Sequence, residues 1–398
     1  MWIASGQMNQ MTQDAPNNPA QTVDHAKSFL KKGRILFVSD SVDFGGHEQV
    51  CLDLANQALA FADCEFAVSR NNQYFAKAII EQIGVKPTLV NVNYRRLGVA
   101  FGQFYFDQRT KWRNVFATHP DHTIIVAQGR IEAATPVMSE LASQRRPFHS
   151  LIPFAHSIED LKGPGFYRNL EEKIRKRWYR LPETYIVPGS TAEHQLRARG
   201  VDVPIYKVPN LAATPNSKSS TSNTIRCIGR IDFWQKRQDL LVRLMAEARA
   251  HAPRLKIDFI GTGPDEDRLR KLIARLDLND RCRVFGFLPR HEIYADCAAV
   301  IIPSRFEGVP LVMLEALSAN IPVLGSNIDV FHEYLPRFAL CDFIDAHSLI
   351  DSFAHATALE NQPVWKEVYD RVRTAHGAQA HKDAAAKAIS AVLNGQDR

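Results

Sequence analysis

Short apolar segments alternate with segments of helical periodicity along most of this 398-residue chain, and this alternation limits the possible folds more than any other feature. The apolar segments predict two successive groups of strands. The first group is 34–39, 64–70, 87–92, 122–128, 150–157 and 183–190, and the second is 224–230, 255–261, 282–288, 298–304 and 322–326. Strands that alternate with helices form parallel sheets with helices on both faces. The sequence therefore predicts an α/β protein with two such sheets.

A change in composition marks the boundary between the two groups. Residues 209–223 are rich in Pro, Asn, Ser and Thr, which is typical of a linker. We therefore predict an N-terminal Rossmann-like domain over 33–208 and a C-terminal one over 224–363. Such sheets bind ligands at the carboxyl ends of their strands, so the cleft between the domains is the expected site. We expect 1–32 to be a disordered tail and 364–398 to be a helical segment that packs back on the N-terminal domain.

Composition limits the kind of partner and the compartment. The formal net charge of +6 and the pI of about 8.9 suit a phosphate-bearing ligand or an anionic membrane, without indicating a nucleic-acid partner. The six cysteines are scattered singly through apolar stretches, as in cytosolic proteins. No apolar run approaches the ~18 residues of a transmembrane helix, and the first residues do not resemble a signal peptide. We therefore expect a cytoplasmic protein.

The string SRFEGVPLVMLEA at 304–316 carries the strongest functional signal. It follows a predicted buried strand, and Pro310 suits the first position of a helix because that position needs no backbone N–H. The N–H groups of Val309, Leu311 and Val312 would then lie at the positive end of the helix dipole, where they could bind a diphosphate. Gly308 would let the backbone approach the ligand closely.

Two carboxylates flank this helix start. Glu307 precedes it and could accept hydrogen bonds from sugar hydroxyls, whereas Glu315 lies within the helix and could accept both hydroxyls of a ribose. Taken singly, either could be an ordinary loop or surface acid. The whole string, however, resembles the signature S-x-x-E-G-x-P-L-V-x-L-E-A of retaining GT-B glycosyltransferases of family GT4, whose E-x7-E motif matches these two glutamates. The resemblance covers roughly 34–335 and implies that Glu307 contacts the donor sugar and Glu315 the nucleotide ribose.

A second match to the family begins the C-terminal domain. Gly229 and Arg230 end its first strand, and Lys236 follows. The family pattern G-R-x-x-x-x-K-G implies that both cations bind the donor diphosphate. This chain departs from the pattern twice, because one extra residue separates Arg230 from Lys236 and because Arg237 replaces the usual glycine. A lysine at this position could also simply be solvated.

The remaining matches are short. Gly261 and Gly263 resemble the family's strand–GxGP–helix junction, and Phe287 lies in the loop that would hold the base. In the N-terminal domain, Gly45 and Gly46 resemble the family's GGxE at a strand–helix junction beside the cleft.

One histidine and one acidic pair complete the candidates. His156 aligns with a family histidine near the reacting sugar, although a histidine after an apolar strand is commonly structural. Asp265 and Asp267 form a D-x-D that could suggest a metal site, but they suit the first turn of a helix. A dinucleotide fingerprint fails because Glu266 occupies its third glycine position. We therefore expect no metal ion and no cofactor.

The resemblance also implies the chemistry. In the family, the acceptor hydroxyl attacks from the face that the diphosphate leaves, so that the anomeric configuration is retained without a protein nucleophile. Arg230, Lys236 and the helix at 310 would stabilise the leaving diphosphate. Glu307 would orient the sugar, with His156 nearby, and closure of the domains would exclude water.

The resemblance implies a hexosyltransferase-type enzyme that moves a sugar from a nucleotide sugar, a UDP-sugar by family frequency, to a glycan or lipid-linked acceptor, in bacterial surface polysaccharide or lipopolysaccharide synthesis. The alternatives are a sugar-nucleotide epimerase, a glycan phosphorylase and a non-catalytic nucleotide- or glycan-binding protein.

Two basic stretches with aromatic residues, 93–113 and 167–182, could dock on the anionic inner face of a membrane. The second includes Trp178 and Tyr179. Both stretches could equally be helices with one core face and one solvated face.

Overall fold

The structure is a computed structural model that describes residues 33–92, 106–215 and 222–395. The predicted N-terminal tail therefore lies outside the described residues, as do 93–105 of the first basic stretch and 216–221 of the predicted linker.

The described residues form two groups of strands and helices. The strands are β1 (Gly33–Ser39), β2 (Ala62–Ser69), β3 (Thr88–Val90), β4 (Thr123–Ala127), β5 (His149–Leu151), β6 (Thr184–Val187), β7 (Ile205–Lys207), β8 (Thr224–Ile228), β9 (Lys256–Ile260), β10 (Cys282–Phe285), β11 (Ala299–Ile302), β12 (Val323–Ser326) and β13 (Leu340–Cys341). The helices are α1 (Gly46–Ala58), α2 (Gln73–Ile83), α3 (Phe106–Ala117), α4 (Thr135–Ser143), α5 (Ile158–Lys162), α6 (Arg168–Tyr179), α7 (Ser190–Ala198), α8 (Gln238–Glu247), α9 (Glu266–Arg275), α10 (Arg290–Ile293), α11 (Leu311–Ser318), α12 (Asp329–Tyr334), α13 (Ala346–Thr357), α14 (Gln362–Ala375) and α15 (Ala378–Asn394).

The strands form two parallel sheets, which confirms the predicted architecture. Within the described residues, the N-terminal sheet has seven strands in the order β3-β2-β1-β4-β5-β6-β7, and the C-terminal sheet has six in the order β10-β9-β8-β11-β12-β13. Each sheet reverses its strand order once, between β1 and β4 and between β8 and β11. Ligands of doubly wound sheets bind at such switch points. The loops after β1, β8 and β11 are therefore the natural place for a site.

Buried apolar side chains hold each sheet between its helices. The β4 sequence TIIVA is buried at every position, as expected for a central strand with helices on both faces. In the C-terminal domain, β11 is likewise fully buried. All six cysteines are buried and free of disulfides.

The end of the chain forms two helices. The stretch from 364 onward, which the sequence predicts to be helical, contains α14 and α15 with Gly377 between them. A Cβ at Gly377 would lie 2.5 Å from the Arg373 carbonyl oxygen, so the sharp change of direction needs a glycine. Helix α15 packs against α1 and β7 of the N-terminal sheet and places Ala385 and Ile389 in the core there.

Two predicted boundaries also move. The strand predicted at 150–157 is only three residues long, because Pro153 has no N–H to donate to a neighbouring strand. Helix α11 begins at Leu311, so Pro310 is its N-cap, with an extended ψ of 126°, and not its first helical residue. The two helix starts differ by a single position, which is within the usual uncertainty of a helix end.

Candidate functional site

An ion pair joins the two switch-point loops of the C-terminal domain. Lys236, in the loop after β8, lies with its Nζ 2.5 Å from Oε1 of Glu307, in the loop after β11. Glu307 is only 7% exposed, so its charge is largely shielded from water. A Cβ at Gly229 would lie 4.0 Å from the Lys236 ammonium. Residues predicted from two separate motifs are therefore neighbours.

Asp232 organises the loop that carries Lys236. Its carboxylate accepts hydrogen bonds from Nη2 of Arg230 (2.8 Å) and from the backbone N–H of Gln235 (3.0 Å). Its carbonyl accepts from the Lys236 N–H at 2.8 Å. The Arg230 guanidinium remains about half exposed. Arg237, which replaces the family's glycine, has the left-handed φ of 53° that a glycine would adopt without strain.

Two glycines let the loop after β9 pack directly on this loop. A Cβ at Gly261 would lie 2.2 Å from the Gly229 carbonyl oxygen, and one at Gly263 would lie 2.2 Å from the Ile231 carbonyl oxygen. Gly261 also has a φ of 134°, which side-chain-bearing residues rarely adopt. Both glycines therefore serve contact between backbones.

The start of α11 lies against the N-terminal domain. The side chain of Asn210, in the chain crossing between the domains, donates a hydrogen bond to the Val309 carbonyl at 2.9 Å. A Cβ at Gly308 would lie 2.9 Å from the Pro153 carbonyl oxygen. The close approach that Gly308 permits here is to the backbone of the other domain. Its approach to a ligand stays a prediction from the sequence. The N–H groups of Leu311 and of the residue after it have no acceptor within the helix, whereas the next two donate to the carbonyl of the N-cap residue.

Glu315 lies one helical turn further along α11 and is held by a tyrosine. The hydroxyl of the fully buried Tyr294 donates to Oε2 of Glu315 at 2.7 Å. This bond fixes the direction of the carboxylate that was predicted to bind ribose. Phe287, predicted to lie beside the base, is 83% exposed on its loop.

His156 reaches from the N-terminal domain to the loop that carries Glu307. Its Nε2 lies 2.9 Å from the Glu307 carbonyl oxygen and must donate, because a carbonyl only accepts. Its Nδ1 accepts from the Gln195 amide at 3.3 Å, and the other end of that amide accepts from the Ala155 N–H. Burial lowers the pKa of His156, so the ring is neutral near pH 7. The residue predicted to lie near the sugar thus contacts the loop that carries Glu307 directly.

The glycine pair of the N-terminal domain lies opposite α11. The Gly45 N–H donates to Oε2 of the buried Glu48 at 2.8 Å, and His47 Nε2 lies 2.8 Å from the other oxygen. Burial alone would raise the pKa of Glu48, but the charge and hydrogen bond of His47 outweigh it, and the pKa lies below its usual value. A Cβ at Gly46 would lie 4.0 Å from Leu311. The first loop of one domain therefore faces the helix start of the other.

The surface of α6 differs from the predicted membrane-docking surface. Trp178 is only 8% exposed and Tyr179 is fully buried, since both point into the core of the domain. The exposed aromatic residues lie just before the helix instead, with Phe166 93% exposed and Tyr167 next to it. We call this exposed face the α6 surface; it comprises Phe166, Tyr167, Leu170, Lys173, Lys176, Arg177 and Arg180.

The charged residues of the site lie in sequence motifs, whereas the residues that position them do not stand out in the sequence. Tyr294, Gln195 and Asn210 belong to no motif, and each acts through a contact with a residue distant in the sequence. Asp232 differs, because it lies inside the pattern that begins at Arg230 and contacts residues close to it in the sequence, so its position could have drawn notice.

Two further features are absent from the described residues. No group of three or more His, Cys, Asp or Glu side chains there could hold a metal ion. No helix in the described part of the chain is long and apolar enough to span a membrane.

Comparison with known sequences identifies one family in the C-terminal part of the chain. Residues 213–364 match the sequence model of the family described as glycosyl transferases group 1. An uncharacterized glycosyltransferase of Haemophilus influenzae is 28% identical over 302 residues, which are 73% of this chain and 79% of that protein. The GtfA subunit of a UDP-N-acetylglucosamine–peptide N-acetylglucosaminyltransferase of Streptococcus gordonii is 32% identical over 94 residues, 24% of this chain. That match spans only 19% of the subunit's length.

Solved structures share the whole architecture. Anabaena HepE, crystallised with UDP and glucose, superposes with a TM-score of 0.71 at 16% identity and covers 90% of this chain and 100% of its own. The two facing parallel sheets are the GT-B fold, as predicted. The C-terminal domain therefore resembles glycosyl transferases group 1 in sequence, and the chain shares the GT-B fold.

Proposed function

We propose that this chain is a retaining glycosyltransferase that transfers a hexose from a UDP-sugar to a glycan or lipid-linked acceptor. The observation that carries the proposal is the pair of Lys236 and Glu307, which brings a cation and a buried carboxylate together between two switch-point loops. Glu315 follows on the helix that begins beside them. A nucleotide sugar needs a cation for its diphosphate, a carboxylate for its sugar hydroxyls and a second carboxylate for its ribose hydroxyls. Lys236, Glu307 and Glu315 supply these groups in that order. HepE, which shares the fold, was crystallised with UDP, and this supports uracil as the base.

Each residue then has a role that its surroundings suit. Lys236 and Arg230 balance the charge of the leaving diphosphate, together with the N–H groups at the start of α11. Because these groups supply positive charge, we propose that no metal ion is required. Glu307 orients the sugar hydroxyls, and Glu315 binds the ribose hydroxyls in the direction set by Tyr294. No side chain acts as a covalent nucleophile in this scheme, and the configuration at the anomeric carbon is retained.

The acceptor side of the proposal rests on the N-terminal domain. We place the acceptor between the loop after β1 and the segment that follows His156, because these face the start of α11. A lipid-linked acceptor at an anionic inner membrane would explain the α6 surface, which combines exposed aromatic and basic side chains. Such an enzyme would work in the cytoplasm, in the synthesis of bacterial surface polysaccharide.

A thermal unfolding panel with UDP, GDP, ADP and NAD tests the proposed donor. A ligand at about 100 times its dissociation constant stabilises the folded protein by about 2.7 kcal/mol. We expect UDP to raise the melting temperature of the wild type by several degrees and to fail with Glu315→Ala, because the ribose hydroxyls lose their acceptor.

The matched control is Glu360→Ala, which removes an exposed glutamate elsewhere in the C-terminal domain. This variant should respond to UDP as the wild type does. Stabilisation by NAD alone, or equal stabilisation of the Glu315→Ala protein, would reject the assigned ribose contact.

A further inference from the structure

Trp234 crosses from the C-terminal domain to the N-terminal domain beside the site. It lies in the loop after β8, two residues before Lys236. Its indole N–H donates a 2.6 Å hydrogen bond to the Leu161 carbonyl in α5. The ring also lies against Gly163, where a Cβ would be 3.7 Å away. Trp234 nevertheless remains 45% exposed, so it is not a core residue of either domain.

Arg305 ties this tryptophan to the loop that carries Glu307. Its guanidinium lies 4.5 Å from the centre of the Trp234 ring, a cation–π contact. Its Nε donates to the Trp234 carbonyl at 3.2 Å, and its backbone N–H donates to the Gln235 carbonyl at 2.8 Å. The two loops that bring Lys236 and Glu307 together are therefore also joined at Trp234.

Helix α5 contacts both of these loops. Just before it, His156 donates to the Glu307 carbonyl, and near its end Leu161 accepts from Trp234. The side chain of Ser157 caps the helix between these two points by accepting from the Asp160 N–H at 3.0 Å. A short, capped helix thus bridges the two loops from the opposite domain. A change in the distance between α5 and the C-terminal domain would therefore move the loop of Lys236 and the loop of Glu307 together.

We propose that Trp234 is a positioning residue that latches the two domains in the arrangement described here and thereby holds Lys236 against Glu307. This inference rests on the proposed function for its consequence, the binding of the donor diphosphate. The extra residue between Arg230 and Lys236 lengthens the loop in which Trp234 lies.

The latch is separate from the contacts at the chain crossing. There, the Thr191 hydroxyl donates to Glu333 at 2.9 Å, and His376 Nδ1 lies 2.8 Å from the Asn210 carbonyl oxygen, to which it donates. Glu333 and His376 also line a cavity of about 320 Å³. The contacts at the chain crossing do not involve α5, so the loss of the Trp234 bond leaves them intact.

Small-angle X-ray scattering of full-length Trp234→Phe, with and without UDP, tests the latch. Phenylalanine retains an aromatic ring for Arg305 but has no N–H for Leu161. The matched control is Trp365→Phe, which removes an indole bond to the Ala356 carbonyl (2.9 Å) in the core of the C-terminal domain. Thermal unfolding of each variant separates a change in domain arrangement from a loss of stability.

We expect Trp234→Phe to have a larger radius of gyration than the wild type at an unchanged melting temperature. Its affinity for UDP should fall about 2- to 12-fold, the range that corresponds to one hydrogen bond. Trp365→Phe should melt earlier but keep the wild-type radius. Equal radii for Trp234→Phe and the wild type would overturn the latch. If UDP does not bind the wild type, the assigned donor fails, while the ligand-free comparison still decides the latch.

Discussion

Single glycines determine whether the loops after β8 and β9 can pack together. Gly261 combines a φ that favours glycine with a Cβ position 2.2 Å from a carbonyl oxygen. The clash cannot be relieved by a side chain moving, because the obstacle is the backbone of Gly229. The loop that carries Arg230 and Lys236 is therefore held by main-chain contact.

Replacing Gly261 by alanine should displace these loops. We expect the free energy of unfolding to fall by about 3 kcal/mol, as overpacking and backbone strain add. Chemical denaturation measures this loss. Gly286→Ala is the control, since a Cβ there meets nothing within 4 Å, and it should change stability by no more than about 0.5 kcal/mol. Equal effects of the two substitutions would contradict the packing described for Gly261.

The sequence predicts that a residue belongs to the site where a local pattern specifies it. Glu307 and Glu315 belong to one string, so their positions followed from the helix start between them. The pairing of Lys236 with Glu307 could not be predicted, because it depends on two loops that meet only in the folded sheet. The same holds for Tyr294, whose partner is Glu315, 21 positions away.

Helix α6 shows that the composition of a helix can be read from the sequence, whereas the direction of each of its side chains cannot. Its basic and aromatic composition was visible in the sequence, but the direction of each side chain depends on which face meets the core. Trp178 and Tyr179 face inward, whereas Lys173, Lys176 and Arg177 face outward. The buried Arg175 pairs with Glu132 at 2.6 Å, so not every cation of this helix is available to a partner.

Binding to lipid vesicles tests the α6 surface. We expect the protein to bind vesicles rich in phosphatidylglycerol and not vesicles of phosphatidylcholine alone. Replacing Lys176 and Arg177 by glutamine should weaken binding about 30-fold, since each cation contributes about 1 kcal/mol near an anionic surface. Co-sedimentation at low salt measures the difference.

The control replaces Lys382 and Lys387, two exposed lysines on α15, by glutamine. It has the same net charge as the α6 variant but an intact α6 surface. If both variants bind equally well, α6 is an ordinary helix with a solvated face.

The arrangement of the whole molecule follows from two sheets that each reverse their strand order once. The loops after β1, β8 and β11 lie at the carboxyl ends of the sheets. The reversal of strand order opens a crevice between neighbouring loops there, where the domains meet. The sequence predicted both sheets because alternation is a local property. It did not predict that His156 and Trp234 would join the domains on either side of α5, since neither contact leaves a local pattern.

Release of nucleoside diphosphate from UDP-, GDP- and ADP-hexoses tests the proposed function most directly. Even without an acceptor, a glycosyltransferase hydrolyses its donor slowly, so the measurement does not require the acceptor to be known. We predict UDP release by the wild type from at least one UDP-hexose. Glu307→Gln should reduce this rate by about 100-fold or more, the usual effect of losing one electrostatic contact to a reacting group, and should still bind UDP. Release of no nucleotide, or full activity of Glu307→Gln, would contradict the assignment of this site to sugar transfer.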